Sequence, residues 1–338
     1  MKRIRIAQIG INQFSHSLEI FESIRKQSDL FEVVGIVYPE EEKKRIPAKY
    51  ERIADFPELT LDQVLNDPQI EAVTIETDET YLSKYALMAA EAGKHIHMEK
   101  PGGANLAEFE ELITAMRHTQ KVFHTGYMYR YNPYVVDLME RIKKRELGEI
   151  LSVDAQMSCI HARQLRQWLG ELPGGMMFYL GCHLVDLILQ IQGQPKKILP
   201  LNRSTKVNTD ADDFGMAVFE YETGISVAKA SAKEIGGYAR RQLVVTGTEG
   251  TVELKPLEMF IPGQGIYTGK TEYWNKGWND LGVHSKTPIF DRYDGMMAAF
   301  AAYVRGEKEN PYTLDYELEL YKTILKACGE NYETNICG

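Results

Sequence analysis

The chain has 338 residues, 44% of them hydrophobic and 26% charged, a length suited to two domains and a composition able to bury a core in each. Its net charge of -9 sets aside nucleic-acid and anionic-membrane partners, which need a basic face; Lys43-Lys44-Arg45 and the basic residues within 141–145 are short runs that alternate with acids. Cys159, Cys182, Cys328 and Cys337 form no C-x-x-C pair, no apolar run nears the ~18 residues of a membrane span, and residues 4–9 alternate as a strand does, so the expected setting is cytoplasmic, without metal or signal peptide.

Residues 3–9 alternate and stop at Gly10, which predicts a first strand. Ser15 or Ser17 is the expected cap of a helix over 18–26, whose Leu18, Phe21 and Ile24 share a face. The nearly unbroken apolar run 31–38 suits a parallel strand covered on both sides. The rhythm repeats with a helix over 61–66, a strand over 72–77, a helix over 81–92 closed by Gly93, and a strand over 95–99. A capping-box-like Asn105 and Glu108 open a helix to 117, and a strand follows over 121–127. Such alternation gives an α/β fold with a doubly wound parallel sheet, a Rossmann-type dinucleotide-binding architecture over residues 1–127.

Two stretches of this half carry chemistry. The first, Gly10-Ile11-Asn12-Gln13-Phe14-Ser15, keeps only the first glycine of a G-x-G-x-x-G phosphate fingerprint. Asparagine tolerates a tight turn and serine is small, so Gly10, Ile11, Asn12, Phe14 and Ser15 remain the candidate pyrophosphate loop. At the end of the second strand, where an acid would bind the adenosine ribose, stands Tyr38, able to stack on an adenine. The second stretch runs through Glu99-Lys100-Pro101. Lysine at the carboxyl end of a parallel strand faces the crevice where such sheets bind ligands, and the proline after it ends the strand.

Residues 128–338 change character. After a helix over 133–145 capped by Asn132, strands are predicted over 150–158, 214–221, 225–231, 240–246 and 251–254, with turns at Glu222-Thr223-Gly224 and Thr248-Glu249-Gly250. Helices interrupt them over 183–192, 293–305 and 314–327, giving an α+β domain on one large, mainly antiparallel sheet. Within it, Gly174 to Asp186 sets two glycines, Tyr179, His183 and Asp186 close together. Tyr179 is expected four residues before His183 across a glycine turn, with Asp186 one helical turn later, able to orient the imidazole.

Together these motifs resemble the glucose-fructose oxidoreductase and inositol dehydrogenase family, Gfo/Idh/MocA. The resemblance rests on Ala92-Gly93-Lys94-His95 running into Glu99-Lys100-Pro101, on Gly126 with Arg130-Tyr131-Asn132-Pro133, on Gly174 to Asp186, and on Thr246-Gly247-Thr248-Glu249-Gly250-Thr251. It implies an NAD- or NADP-dependent oxidoreductase of a sugar, cyclitol or polyol, a homodimer or homotetramer joined through the C-terminal sheet. Lys100 would lie beside the nicotinamide and the reacting hydroxyl, with His183 as acid or base and Tyr179 as a second candidate. Thr77, Asp78, Glu99 and Arg130 join the candidate cofactor contacts. Arg163, Arg166, Trp168 and Asp186 are the candidate substrate contacts.

The sequence departs from the family at two places. Thr77-Asp78-Glu79 replaces a T-P-N pattern, and Tyr179 replaces the aspartate that many polyol dehydrogenases carry before the histidine. Two alternatives follow: a nucleotide-binding or regulatory protein without chemistry, or a hydrolase or lyase that uses NAD transiently. Alcohol oxidation sends a hydride to nicotinamide and a proton to a base, and histidine, with an ordinary pKa of about 6.5, suits that base near neutrality.

Overall fold

The computed structural model describes residues 2–330; Cys337 lies outside them, and Cys159, Cys182 and Cys328 are free thiols. The described residues divide into two compact units, one comprising Lys2–Met128 together with Tyr293–Tyr321, the other Tyr129–Arg292 with Lys322–Glu330. Residues 293–321, placed with the second domain by the sequence reading, therefore belong to the first unit.

In the first unit β1 (Ile4–Ile9), β2 (Phe31–Val37), β3 (Ala72–Ile75), β4 (His95–Met98) and β5 (Phe123–Thr125) form a parallel sheet in the order β2-β1-β3-β4-β5. Order reverses between β1 and β3, and the crevice outside the carboxyl ends there is where doubly wound sheets bind ligands. Both faces are covered, which is why Ile6, Ile9, Val73, Ile75, Ile96 and Met98 are all buried. Crossovers run through α1 (Ser17–Lys26), the short α2 (Glu42–Arg45) and α3 (Pro47–Glu51), α4 (Leu61–Asn66), α5 (Leu82–Glu91) and α6 (Leu106–Arg117). The box at α4 joins Thr60 and Gln63, and Asn105 caps α6 as its sequence predicts.

Neither Ser15 nor Ser17 caps α1, whose N-cap is His16 with no side-chain bond. Asn12 accepts from the Ser15 amide, and the Ser17 hydroxyl lies 3.3 Å from Lys49 Nζ, so both serines serve the loop and not the helix.

The second unit opens with α7 (Pro133–Lys143), capped by Asn132. Its sheet combines β6 (Ile150–Ser158), β7 (Lys197–Pro200), β8 (Phe214–Glu220), β9 (Ile225–Ser231), β10 (Gln242–Gly247), β11 (Thr251–Leu254) and, after the small hairpin β12 (Met259–Ile261) and β13 (Gly265–Tyr267), β14 (Gly269–Tyr273) and β15 (Val283–Lys286). The order is β15-β14-β11-β10-β6-β9-β8-β7, antiparallel except where β6 pairs with β9. α8 (Arg163–Trp168) and α9 (Cys182–Gln192) belong to this unit, α10 (Asp294–Val304) to the first, and α11 (Leu314–Cys328) contributes to each. Among the described residues no helix is long and apolar enough to cross a membrane.

Candidate functional site

At the switch point β1 ends in Gly10, held at φ +95°; a Cβ there would stand 2.7 Å from the Thr77 backbone nitrogen, so only glycine lets the two strand ends meet. Of the next amides, that of Asn12 donates to the Glu76 carbonyl at 2.8 Å and the others point at side-chain oxygens. Ile11 N–H donates to Glu42 Oε2 (2.9 Å), Gln13 N–H to Asp78 Oδ1 (3.4 Å), and the Phe14 and Ser15 amides both donate to Asn12 Oδ1, at 2.7 and 3.1 Å. Asn12 is fully buried, and its amide nitrogen donates to the Thr77 carbonyl and to Glu79 Oε2, each at 2.9 Å. Two neighbouring amides converging on one oxygen are a donor set that fits a phosphate, and an Asn oxygen stands on it.

Carboxyl groups surround this loop. Burial pushes Glu42 up to about 8 and Glu79 to about 7, and raises Glu76, at the end of β3, well above the ordinary carboxylate range. Burial likewise lowers Lys49, whose ammonium donates to the Ser15 carbonyl at 2.8 Å. Tyr38 is half-buried, with the Tyr50 ring edge-on at 5.2 Å and Lys43 5.4 Å from its centroid. The neighbouring cations are also engaged: Lys43 pairs with Glu58, Lys44 with Glu41 at 2.7 Å and Arg45 with Asp78 at 2.7 Å.

Lys100 follows β4 by two residues, only 8% exposed, its ammonium 3.8 Å from Glu99 Oε1. The same carboxylate oxygen accepts the Lys100 backbone N–H at 3.0 Å, which ties the lysine to the strand end. The loop beyond is held by Tyr321, whose hydroxyl donates to the Gly103 carbonyl at 2.8 Å.

In the second unit, Gly174 and Gly175 adopt positive φ where a Cβ would lie 2.7 Å from Cys328 Cα and 2.3 Å from the Asp212 carbonyl oxygen. Close approach explains both glycines. Residues Met177–Gly181 then form a π-helical turn running straight into α9, so Tyr179 lies within one helical run with His183 and not across a glycine turn. His183 is buried, with the Tyr129 ring edge-on at 5.2 Å. Tyr179 meets Trp168 at 5.5 Å and His161 at 5.9 Å, both edge-on.

Several sequence candidates are placed differently. Asp186 accepts a two-pronged bond from Arg130, at 2.8 to 3.2 Å, and one from Gln190 at 2.8 Å. Arg130 and Asp186, expected at the cofactor and the substrate, thus form a buried pair inside the second unit. Arg166 is likewise buried, donating to Asp213 at 3.1 Å and to the Val207 carbonyl at 2.6 Å. Arg163 is exposed on an open groove with Gln167, Lys206 and Asn208.

Other residues gave no signal in sequence. Arg241 donates to the Tyr129 hydroxyl at 3.3 Å and to Glu258, and Arg292 clamps Glu258 at 2.8 Å through two nitrogens. Burial opposes it, yet Arg292 and Arg241 hold Glu258 below its ordinary range, so a buried ion network fixes the ring beside His183. Glu42 and Glu79 lie in stretches the sequence places near the pocket, but their burial and their bonds to the Ile11 amide and to Asn12 show only in the fold.

A parallel sheet with a glycine turn at its switch point, joined in one chain to a large mixed sheet, is the architecture of a two-domain dinucleotide-binding protein. The model of the oxidoreductase family with an NAD-binding Rossmann fold matches residues 4–127, and that of the GFO/IDH/MocA C-terminal domain matches residues 135–253. The chain belongs to the Gfo/Idh/MocA family of NAD(P)-dependent oxidoreductases. It is 31% identical to the oxidoreductase YhhX of Escherichia coli (strain K12) over 51% of the chain and 49% of that protein, about half its length. With the trans-1,2-dihydrobenzene-1,2-diol dehydrogenase of Sus scrofa it shares 24% identity over 86% of this chain and 87% of the relative. A levoglucosan dehydrogenase solved with NADH and levoglucosan shares the fold, with a TM-score of 0.77 at 18% identity, covering 97% of this chain and 98% of that one.

Proposed function

We propose that this protein is a dehydrogenase that moves a hydride between NAD or NADP and a hydroxyl or carbonyl carbon of a sugar, cyclitol or related polyol. The single observation that carries the reading is Lys100, a nearly buried ammonium fixed by Glu99 at the carboxyl end of a central parallel strand. Relatives named for a dihydrobenzene diol and for levoglucosan support the substrate class, which is a set of adjacent ring hydroxyls.

The nicotinamide cofactor supplies the hydride acceptor. Phe14 and Ser15 are the residues to hold its pyrophosphate through backbone amides, in the turn that Gly10, Ile11 and Asn12 form, with Tyr38 and Thr77 flanking. Lys100 polarises the substrate oxygen and stabilises alkoxide charge as the proton leaves. His183 takes that proton, and Tyr179 is the second candidate for it. Trp168 and Arg163 are the remaining candidates for substrate contact. The second unit is read as the substrate-binding and oligomerisation part, its eight-stranded sheet joining a homodimer or homotetramer, and three free thiols agree with a cytoplasmic setting.

A screen of sugars, inositols and diols with both nucleotides, read by nicotinamide absorbance, tests the reading. With a substrate in hand, Lys100→Ala is expected to lower kcat about 10²–10³-fold, the loss typical of one oxyanion-stabilising donor, with melting temperature retained. Unchanged kcat removes Lys100 from the mechanism. A second reading, a nucleotide-binding protein without chemistry, is favoured by the Asn12 oxygen already standing in the phosphate loop; nucleotide binding with no turnover across the screen would select it.

A further inference from the structure

In a G-x-G-x-x-G loop the second glycine allows the pyrophosphate to approach the backbone. Here that position is Asn12, and its side chain does what the phosphate would do. Its Oδ1 receives the Phe14 and Ser15 amides at 2.7 and 3.1 Å, while its amide nitrogen is tied behind the loop to Glu79 and the Thr77 carbonyl. Glu42 and Asp78 take the Ile11 and Gln13 amides in the same way. The donors that the first turn offers an anion are all satisfied from within the chain.

We propose that Asn12 is a built-in placeholder for the cofactor pyrophosphate, so that a nicotinamide dinucleotide enters by displacing the Asn12 carboxamide from the Phe14 and Ser15 amides. The inference rests on the first unit being the cofactor domain. A charged phosphate oxygen is the stronger acceptor and wins the exchange. The exchange has a cost: Asn12 gives up its acceptor bonds, and the buried Glu79 and Thr77 oxygens lose a donor if its side chain swings. Placeholder and ligand compete for the same donors, so nucleotide affinity is set below what the bare loop would give.

The neighbouring carboxyls couple this exchange to protons. Glu42 is faced by Asp78, Arg45 and Glu40; Glu79 by Lys100, Asn12 and Glu99; Glu76 by Glu99, Lys49, Glu79 and Lys100; and Lys49 in turn by Glu19 and Arg52 as well. Glu42 and Glu79 shed their protons between about 7 and 8, and an arriving pyrophosphate repels the carboxylates that result. Binding therefore favours their protonated forms and weakens as pH rises through that window.

The full-length wild type, Asn12→Gly and Asn12→Ala are titrated with NADH and NADPH by fluorescence and calorimetry, after their melting temperatures are compared. Removing the placeholder is expected to tighten the better-bound nucleotide about tenfold, near 1.4 kcal/mol. Equal or weaker binding by a folded variant overturns the proposal. Should both variants fail to fold, the wild type decides: calorimetry at pH 7.5 in two buffers of different ionisation enthalpy is expected to report net proton uptake, reduced in Glu42→Gln. No uptake overturns the coupling, and Phe14 and Ser15 amide resonances that stay unmoved as nucleotide saturates the wild type overturn the exchange. Failure of wild type and variants alike to bind either nucleotide at millimolar concentration overturns the cofactor assignment itself, a result distinct from the others.

Discussion

Burial of Glu42 behind the Ile11 amide has a consequence for stability that needs no substrate to measure. An ordinary glutamate titrates near 4.5, and in the fold this one titrates near 8, so between these values the folded state holds more protons than the unfolded chain. Its stabilising term is complete below pH 4.5 and is lost as pH rises through about 8. Glu42→Gln keeps an oxygen for the Ile11 amide and removes the charge. The melting temperature of the variant relative to wild type is expected to climb from pH 5 to pH 9, each kcal/mol being worth about 2–4 °C in a chain of this size. A difference that stays flat with pH would place the Glu42 carboxylate in water. The positions of Gly10 after an alternating strand and of Lys100 before a proline at a strand end were legible in the sequence. Which of three consecutive glutamates turns inward was not, because that depends on the positive φ at Glu40 and Glu41. The pairing of Arg130 with Asp186 and of Arg166 with Asp213 was not legible either, because partners 56 and 47 residues apart leave no local pattern.

At the scale of elements, the first sheet carries a buried polar row across four strands. Register sets Gln8 beside Thr74, Thr74 beside His97, and His97 beside His124. Thr74 donates to Gln8 at 3.2 Å, and the two imidazoles meet Nδ1 to Nδ1 at 2.7 Å, one donating and the other accepting. The Phe300 ring stacks on His124 at 5.4 Å. Burial drives His97 down to about 3, so it is neutral and its term is present above the ordinary imidazole value of 6.5 and lost as pH falls toward 3. His97→Leu leaves the facing ring with a buried polar nitrogen lacking this bond, expected to cost about 1–3 kcal/mol in urea denaturation at pH 7.5. The double variant His97→Leu, His124→Leu is expected to lose less than the sum of the two single variants, since neither polar partner is then stranded. Additive losses would show that the two rings do not depend on each other. Strand periodicity made β1 to β5 legible, but two histidines in strands 27 residues apart reveal their pairing only through the register. The π-helical turn at Met177–Gly181 was unreadable too, because two glycines before a helix look like a loop.

The whole molecule differs from its linear reading in where residues 293–321 belong. Helical periodicity exposes α10 and α11 in the sequence, yet nothing local says that the chain returns to the first unit after Arg292. The return is built from specific bonds: Ser23 and Lys26 donate to Asp294, Arg305 donates to the carbonyls of Lys2, Asp29 and Leu30, and Asn310 donates to the Phe123 carbonyl. Glu317 accepts from Thr125 at 2.8 Å, Tyr321 closes on Gly103, and Phe109 packs its ring 4.5 Å from that of Tyr321. A fragment ending at Met128 matches the family's N-terminal boundary but strips these partners from β5, α1 and the loop after Lys100. It would expose the Phe300 and Tyr321 seats and strand the buried Thr125 hydroxyl and His124 face. Such a fragment is expected to melt without a cooperative transition and to bind a hydrophobic dye. The same fragment joined by a flexible linker to residues 293–321 is expected to recover a cooperative melt, measured by circular dichroism. If the fragment ending at Met128 alone unfolds cooperatively with no dye binding, the returning helices decorate the first unit and do not complete its core.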